Sequence, residues 1–514
     1  MKGMELREAI MSGRYARPDE AELGRFLSED RGALTWWFGP DAAGWGVDRL
    51  RARADRDIAR LDELIGAALD AVLHHPRLQR LEGSWRGLAS LACGFEPGSR
   101  VKVSVMSASW RELDADFARA IEFDQSNLFR FLYENEFGRA GGEPFGLLVV
   151  DHEIRHQPAA RTLADPGAPV DDVSVAAELA SVAAAAFIPV VLAASPSLLG
   201  ADRFEDLALS HAIADNLADE EHRRWRLLAA REEARFLCVT MPHVLARPRW
   251  SSDRSLPFYE EYAPTAADRP WSVACYAFAA TVIRAQLAHG WPADVRGVPS
   301  GRVGGGLVLD LAEEEFVLGA ETRWARASTD LGLTDRQERD LVLAGLMPLN
   351  TLPGGGAAFG SVRSLQTRIN PAPGRDPTAY DANRRLSAEI SAVLCVSRFA
   401  HYVKVIGREI TGKVTTPEEI ERRLQDWLRR YTNASSSPDA ATRARYPLLS
   451  SRVEVREQLG RPGSFGCIIH LQPHYQIDDV STVFRLVTGF TAPGASEADA
   501  RTGRDAARQQ ENIA

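Results

Sequence analysis

Phe145-Gly146-Leu147-Leu148-Val149-Val150-Asp151-His152-Glu153-Ile154-Arg155-His156 can be read in two ways, and the choice decides the fold. The last five residues spell His-Glu-x-x-His, a zinc-peptidase signature that needs an α-helix to stack His152 and His156 on one face. The first six form a short apolar run of strand type. Pro158 follows two residues behind the motif, where a continuing helix would press the proline ring against the Ile154 carbonyl. The strand reading prevails, and His152 to His156 are expected in the loop after the strand, with no metal bound.

Strand and helix signals alternate outward from this point. Val101, Val103 and Val105 share one face of an expected strand, and Ser109-Trp110-Arg111-Glu112 is a capping box that opens a helix. Further helices are expected over Asp124 to Phe137, Val173 to Phe187, Phe204 to Ala234 (a pair) and Trp271 to His289, and strands over Pro189 to Ala194 and Phe236 to Met241. Strands separated by helices imply right-handed crossovers, so the fold class is α/β with a mixed, largely parallel sheet covered by helices. Before it, apolar residues recur at helical spacing from Val47 to Leu73. After it come glycine-punctuated strands near Gly304, a short helix from Asp335 to Leu343 and a long one from Asn383 to Ile410. The segments around Val453-Glu454-Val455, Cys467 to Leu471 and Val483 to Val487 read as three strands, the first two flanking the turn Gly460-Arg461-Pro462-Gly463. The division expected is an arm (1–57), a middle α/β domain (58–382), a small α+β domain (383–490) and a polar tail (491–514) too poor in apolar residues to order itself.

Composition excludes several classes. The 514 residues are 45% hydrophobic and 25% charged with a net charge of −9, an ordinary globular balance with no basic footprint for nucleic acid. The first eight residues carry no apolar leader, and no run of eighteen apolar residues exists, so neither export nor membrane insertion is expected and the reading is cytoplasmic. Five scattered cysteines without a C-x-x-C pair read as buried reduced thiols.

Gly407-Arg408-Glu409-Ile410-Thr411-Gly412-Lys413 imitates a P-loop, but Val414 stands where the magnesium ligand belongs. The preceding residues have helical period, so Gly412 reads as a helix stop. His74-His75 falls at a helix end, a solvated or capping position, and the pairs Glu220-Glu221 and Glu232-Glu233 read as solvated helix faces. No convincing active site emerges and no cofactor is expected.

The run His74-His75-Pro76-Arg77-Leu78-Gln79-Arg80-Leu81-Glu82-Gly83-Ser84-Trp85-Arg86-Gly87-Leu88 resembles a signature of the type VI secretion contractile sheath large subunit (TssC/VipB-like). Asp124 to Phe129, Glu134 to Gly138, Gly141 to Gly146, Pro242 to Arg247, Ser397 to Lys404 and Arg452 to Gln476 are similar to further family blocks in the same order. The resemblance spans residues 58 to 490 and leaves the arm and tail unmatched. It implies a structural protein, not an enzyme, that pairs with a small sheath subunit (TssB/VipA-like) and stacks with other copies of itself around an inner tube on a baseplate. A AAA+ ATPase then dismantles contracted sheath, mainly through the small subunit. It also implies that strands from neighbouring chains complete the C-terminal sheet. The alternatives weighed are a sheath protein of another contractile injection system and a zinc metallopeptidase. Candidate interface residues are Val453, Val455, Ile468, Ile469, Leu471 and Phe484 on the C-terminal strands, and Leu34, Trp36, Trp37 and Phe38 in the arm. The arm segment is read as an exchange strand from its β-favouring composition or, alternatively, as docked on its own chain.

Overall fold

The computed structural model describes Met11 and residues 33–96, 98–139, 141–158, 169–252, 256–299, 303–318, 322–352, 356–367, 388–410, 416–435, 439–457, 464–474 and 484–491. The turn Gly460 to Gly463, Gly412, Lys413 and the tail after Thr491 lie outside them. The chain divides into two compact units, Met1–Glu82 with Arg247–Pro270, and Gly83–Ala246 with Trp271–Ala514.

In the first unit, helix α1 (Ala33–Phe38) precedes helix α2 (Val47–Leu73), which occupies the residues its periodicity marks out. Pro76 opens a new helix, α3 (Pro76–Cys93), rather than simply ending the previous one; its residues from Gly83 onward belong to the second unit. Ions tie the loop Arg247–Pro270 to these helices. The buried Arg247 guanidinium donates to Glu82 Oε1 (2.7 Å) and Glu261 Oε2 (2.6 Å), and Glu261 also accepts from the Trp250 amide (2.9 Å). His74 Nε2 lies 3.2 Å from Glu261 Oε1, so this histidine joins a buried network rather than solvent, while His75 Nδ1 accepts from the Arg77 amide in the capping role expected. Tyr259 donates to Asp70 of α2 at 2.7 Å.

The second unit is built on a four-stranded, all-parallel sheet ordered β1 (Leu148–Ile154), β2 (Val190–Ala194), β3 (Leu237–Met241) and β4 (Met347–Pro348). Every residue of β2 and β3 is buried, as expected for central parallel strands covered on both faces. Helices α4 (Asp172–Ala186) and α5 (Cys275–His289) pack into the same core. Gly83 and Gly87 of α3 lie against the short strand Trp271–Ser272 and the start of α5. A Cβ on Gly83 would stand 2.0 Å from the Trp271 carbonyl oxygen, and one on Gly87 2.4 Å from Ser272 Oγ. Glycine at both places lets α3 lie directly on this backbone.

Several expectations need correction. Val101 to Val105 form no strand; among the described residues none pairs with them, and Val103 and Val105 are exposed. The pair of helices over Phe204 to Ala234 is a series of single 3-10 turns with one short helix, Arg223–Ala230, because polar side chains engage nearby backbone: Asp206 accepts from the Arg203 amide and Asn216 donates to the Leu199 carbonyl. Trp271–Ser272 pairs with Val244–Leu245 before α5 begins. Four cysteines are buried and free, but Cys93 is exposed.

The largest correction concerns the decisive stretch. β1 runs through Ile154, so Asp151, His152, Glu153 and Ile154 are strand and not turn: past an irregularity after Val149, Glu153 pairs with Ala193 and Ile154 with Ala194 of β2. Each polar residue of the motif has its own structural partner. The His152 ring stacks on Trp110 at 4.2 Å and its Nε2 lies 3.1 Å from Asp172 Oδ1. That buried carboxylate also accepts from Trp110 Nε1 (2.9 Å) and the Arg155 amide (3.0 Å). His156 stacks on His222 at 3.9 Å. The helix that would bring both histidines onto one zinc is replaced by a strand, which removes the basis of the peptidase reading.

Glu153 is engaged differently, 2.9 Å from Nε2 of His243, whose Nδ1 lies 2.7 Å from Asp330 Oδ2. Burial alone would lower the pKa of His243, but Asp330 and then Glu153 outweigh it and raise it to about 10. Because the folded value lies above the unfolded one of about 6.5, this clamp contributes fully below pH ~6.5 and is lost as pH rises toward 10. His243→Ala is expected to destabilise by about 2–3 kcal/mol at pH 7, less than a fully buried pair because Glu153 is partly exposed. Urea titrations at pH 7 and pH 10 check this: the gap between wild type and variant should narrow at pH 10, and a pH-independent gap contradicts the clamp.

Candidate assembly interface

Helix α6 (Ile390–Ile410) carries the C-terminal part of the second unit. Ile390, Val393 and Leu394 belong to the core around the parallel sheet, whereas Val396, Phe399, Ala400 and Val403 belong to a second core with Trp291. It is long and apolar enough to cross a membrane by composition, yet two-thirds of that stretch (67%) is buried inside the molecule. Gly407 to Ile410 are its last turn, in agreement with the helical rather than P-loop reading.

One face of α6 is polar and grips its neighbours. Arg398 donates to the Pro144 carbonyl (3.1 Å), and Arg408 to that of Phe137 (3.1 Å). Lys404 lies over the rings of Tyr133 (4.6 Å), Phe187 (5.0 Å) and Phe137 (5.3 Å). His401 Nε2 lies 3.0 Å from the Ala186 carbonyl oxygen; burial, then Arg398, depresses its pKa to about 3, so it is a neutral donor there. These residues tie α6 to the backbone and rings of the elements packed against it.

On this spine sits an antiparallel sheet ordered β5 (Leu448–Glu457), β6 (Ser464–Pro473) and β7 (Phe484–Thr491). Helix α7 (Pro417–Arg429), capped by the Thr416 side chain, packs Ile420, Leu424 and Leu428 into the second core. Sequence reasoning missed α7, although the Thr-Pro-Glu-Glu start followed by apolar residues four apart is a legible signal.

The two edges of this sheet differ. Along β5, the outward amide of Val453 donates to Gln425 Oε1 (3.0 Å) and that of Val455 to Glu421 Oε2 (3.2 Å), while Gln425 Nε2 donates to the Ser451 carbonyl (3.2 Å). Side chains from α7 thus occupy the hydrogen-bonding positions of a further strand. Because Val453 points away from β6, its partner Ile469 points toward β7 and forms a hydrogen-bonded pair with Leu486. The alternation leaves Arg485, Val487 and Gly489 with outward backbone groups, and among the described residues no strand pairs with that edge of β7.

Val453, Val455, Ile469 and Leu471 turn into the chain's own core, Ile468 takes the opposite face of β6, and Phe484 pairs with Leu471 through the backbone. Val453, Val455, Ile469 and Leu471 are therefore committed to the core of their own chain. Leu34, Trp36, Trp37 and Phe38 lie in α1, a helix and not the strand that β-propensity suggested. Trp37 Nε1 donates to the buried Asp57 (3.0 Å) and Phe38 packs on Trp45, so tertiary contacts within the chain override propensity.

A parallel α/β layer and a three-stranded sheet are thus joined by α6, and among the described residues one edge of the smaller sheet has no paired strand. Two family profiles match: the EvpB/VC_A0108 tail sheath N-terminal domain (VipB) over residues 55–366 and the EvpB/VC_A0108 tail sheath gpW/gp25-like domain over residues 379–490. The chain belongs to this VipB tail sheath family. It is similar to the type VI secretion system sheath protein TssC1 of Pseudomonas aeruginosa, at 33% identity over 453 residues covering 86% of each protein. A solved structure, the anti-feeding prophage baseplate, aligns over 78% of this chain and 81% of that one with 11% identity and a TM-score of 0.32, too low to bear on the fold.

Replacing both caps, Glu421→Ala with Gln425→Ala, strands the two β5 amides and is expected to cost about 2 kcal/mol and to expose a second adhesive edge. Light scattering after size exclusion should show concentration-dependent association of the double variant. A monodisperse double variant as stable as wild type contradicts the capping role.

Proposed function

We propose that this chain is the large subunit of a type VI secretion contractile sheath. It assembles with a small sheath subunit and with other copies of itself into a helical tubule around an inner tube, in the cytoplasm and on a baseplate, and a AAA+ ATPase recycles the contracted tubule mainly through the small subunit. The observation that carries the reading is the edge asymmetry: a sheet rigidly mounted on α6 offers one strand edge, β7, and keeps the other closed with α7 side chains. A strand from a neighbouring chain added to β7 gains backbone hydrogen bonds of about 0.5–1.5 kcal/mol each. Such a joint holds subunits together while their packed bodies move from an extended to a contracted arrangement, and the stored packing difference supplies the work without catalysis. The middle domain (58–382) is assigned the sheath body and residues 383–490 the interlocked core. The arm (1–57) is assigned a docking role on its own chain, supported by the bond from Trp37 of α1 to Asp57 of α2, a helix that runs on past the arm to Leu73.

Val487→Pro tests this with little collateral damage, since it removes a donor from the open edge and none from the β6–β7 ladder. Co-expressed with the small subunit, the variant is expected to fold and form heterodimers but no tubules in electron micrographs. Wild-type tubules from this variant contradict strand addition at β7.

A further inference from the structure

Within the second unit, a small polar cavity lies where the C-terminal sheet meets the start of α6. Its wall carries Arg443 of helix α8 (Ala440–Arg445), Ser391 of α6, Glu389 just before α6, His474 just after β6, and Asp294 and Arg296 of the loop that follows α5. The cavity measures about 60 Å³. Because one water takes about 10–15 Å³ of such space, it suits a single compact group such as a tetrahedral ion. Most of the charge on the wall is already answered. Arg296 donates to Glu389 at 3.1 Å, and Asp294 accepts from the Gly305 amide at 3.1 Å and lies 3.5 Å from His289. Burial, the largest influence, raises the pKa of Glu389 against the pull of Arg296, which reduces the negative charge that an incoming anion meets.

Arg443 and His474 are different. Arg443 Nε is buried and meets no acceptor among the described residues, and the Asp439 carboxylate that begins α8 accepts from the Thr442 amide at 3.0 Å. His474 is fixed by its amide, which donates to the Pro447 carbonyl (3.0 Å), and by its ring on the backbone of Asn433. Its buried Nε2 meets no partner among the described residues. Burial first, with a smaller part from the Arg443 charge, lowers the pKa of this ring. The ring is therefore neutral at pH 7, with its proton on Nδ1 toward the Asn433 carbonyl and a lone pair on Nε2. The wall thus calls for one acceptor, at Arg443 Nε, and one donor, at His474 Nε2. Water supplies both but leaves the Arg443 charge unmatched. Hydrogen phosphate supplies both with a matching charge, since its bare oxygens accept and its hydroxyl donates. Sulfate has the same shape but no proton to give at neutral pH.

We propose that this cavity binds one hydrogen phosphate ion, with Arg443 Nε donating to a bare oxygen and His474 Nε2 accepting from the phosphate hydroxyl. The bound ion ties α8 to the end of β6 beside the first turns of α6, and so stiffens the joint between the two cores. The site does not depend on the sheath reading. Isothermal titration calorimetry on the full chain at pH 7, in a buffer free of phosphate, tests it. Inorganic phosphate is expected to bind saturably, one ion per chain. Sulfate is expected to bind roughly 10-fold more weakly or worse, because a site that accepts a ligand hydroxyl rejects the analogue without one. Arg443→Met, which keeps the length of the side chain, should weaken phosphate roughly 10-fold or more with the ligand-free thermal midpoint unchanged. Arg445→Met, at an exposed position of the same helix, should bind phosphate like wild type. Each of three results overturns the proposal: no saturable phosphate binding by wild type, equal affinity for phosphate and sulfate, or phosphate affinity in Arg443→Met equal to that of wild type.

Discussion

The fixed point of the second unit is the double membership of α6. Its first turns are buried in the parallel-sheet core and its later turns in the core of the C-terminal sheet, so neither core can shift without dragging the other. Its polar face adds directional contacts: Arg398 and Arg408 to carbonyls, Lys404 among three rings, and neutral His401 on the last carbonyl of α4. Close-packed cores transmit strain because they contain few voids to absorb it. In the assembly proposed above, a force taken up at the β7 edge is passed through α6 to the body of the subunit.

The C-terminal sheet also restricts where a further strand can pair. A three-stranded sheet has two edges, and each exposed edge is an aggregation hazard. α7 closes one by placing Glu421 and Gln425, one helical turn apart, against alternate amides of β5. The partner choice is thereby reduced to one edge.

Much of this fold is written in local patterns. The period of α2, the helix Asp335–Leu343, the strands β2 and β3 and the Ser109 capping box are legible because the signal and the structure share a window of a few residues. The misreadings share a different cause. β1 continues through His152 and Glu153 because β2 offers Ala193 and Ala194 as partners to Glu153 and Ile154, far along the chain, and a local scan cannot register that. Trp37 lies in a helix because Asp57 holds its indole, against the β-propensity of its neighbours. The resemblance motifs were legible as text but not as physics: Gly83 and Gly87 turn out to be contact glycines, and Arg398, His401 and Lys404 grips. The capping of β5 left no sequence trace beyond two polar residues four apart on α7.

Hydrogen–deuterium exchange at single-amide resolution, on the heterodimer and on assembled tubules, reports whether a strand is added at β7. The outward amides of Arg485, Val487 and Gly489 are expected to exchange quickly in the heterodimer and to become protected in tubules, with Val453 and Val455 protected in both states by α7. Amides of β7 that exchange as fast in tubules as in the heterodimer, with new protection appearing along β5 instead, would contradict it.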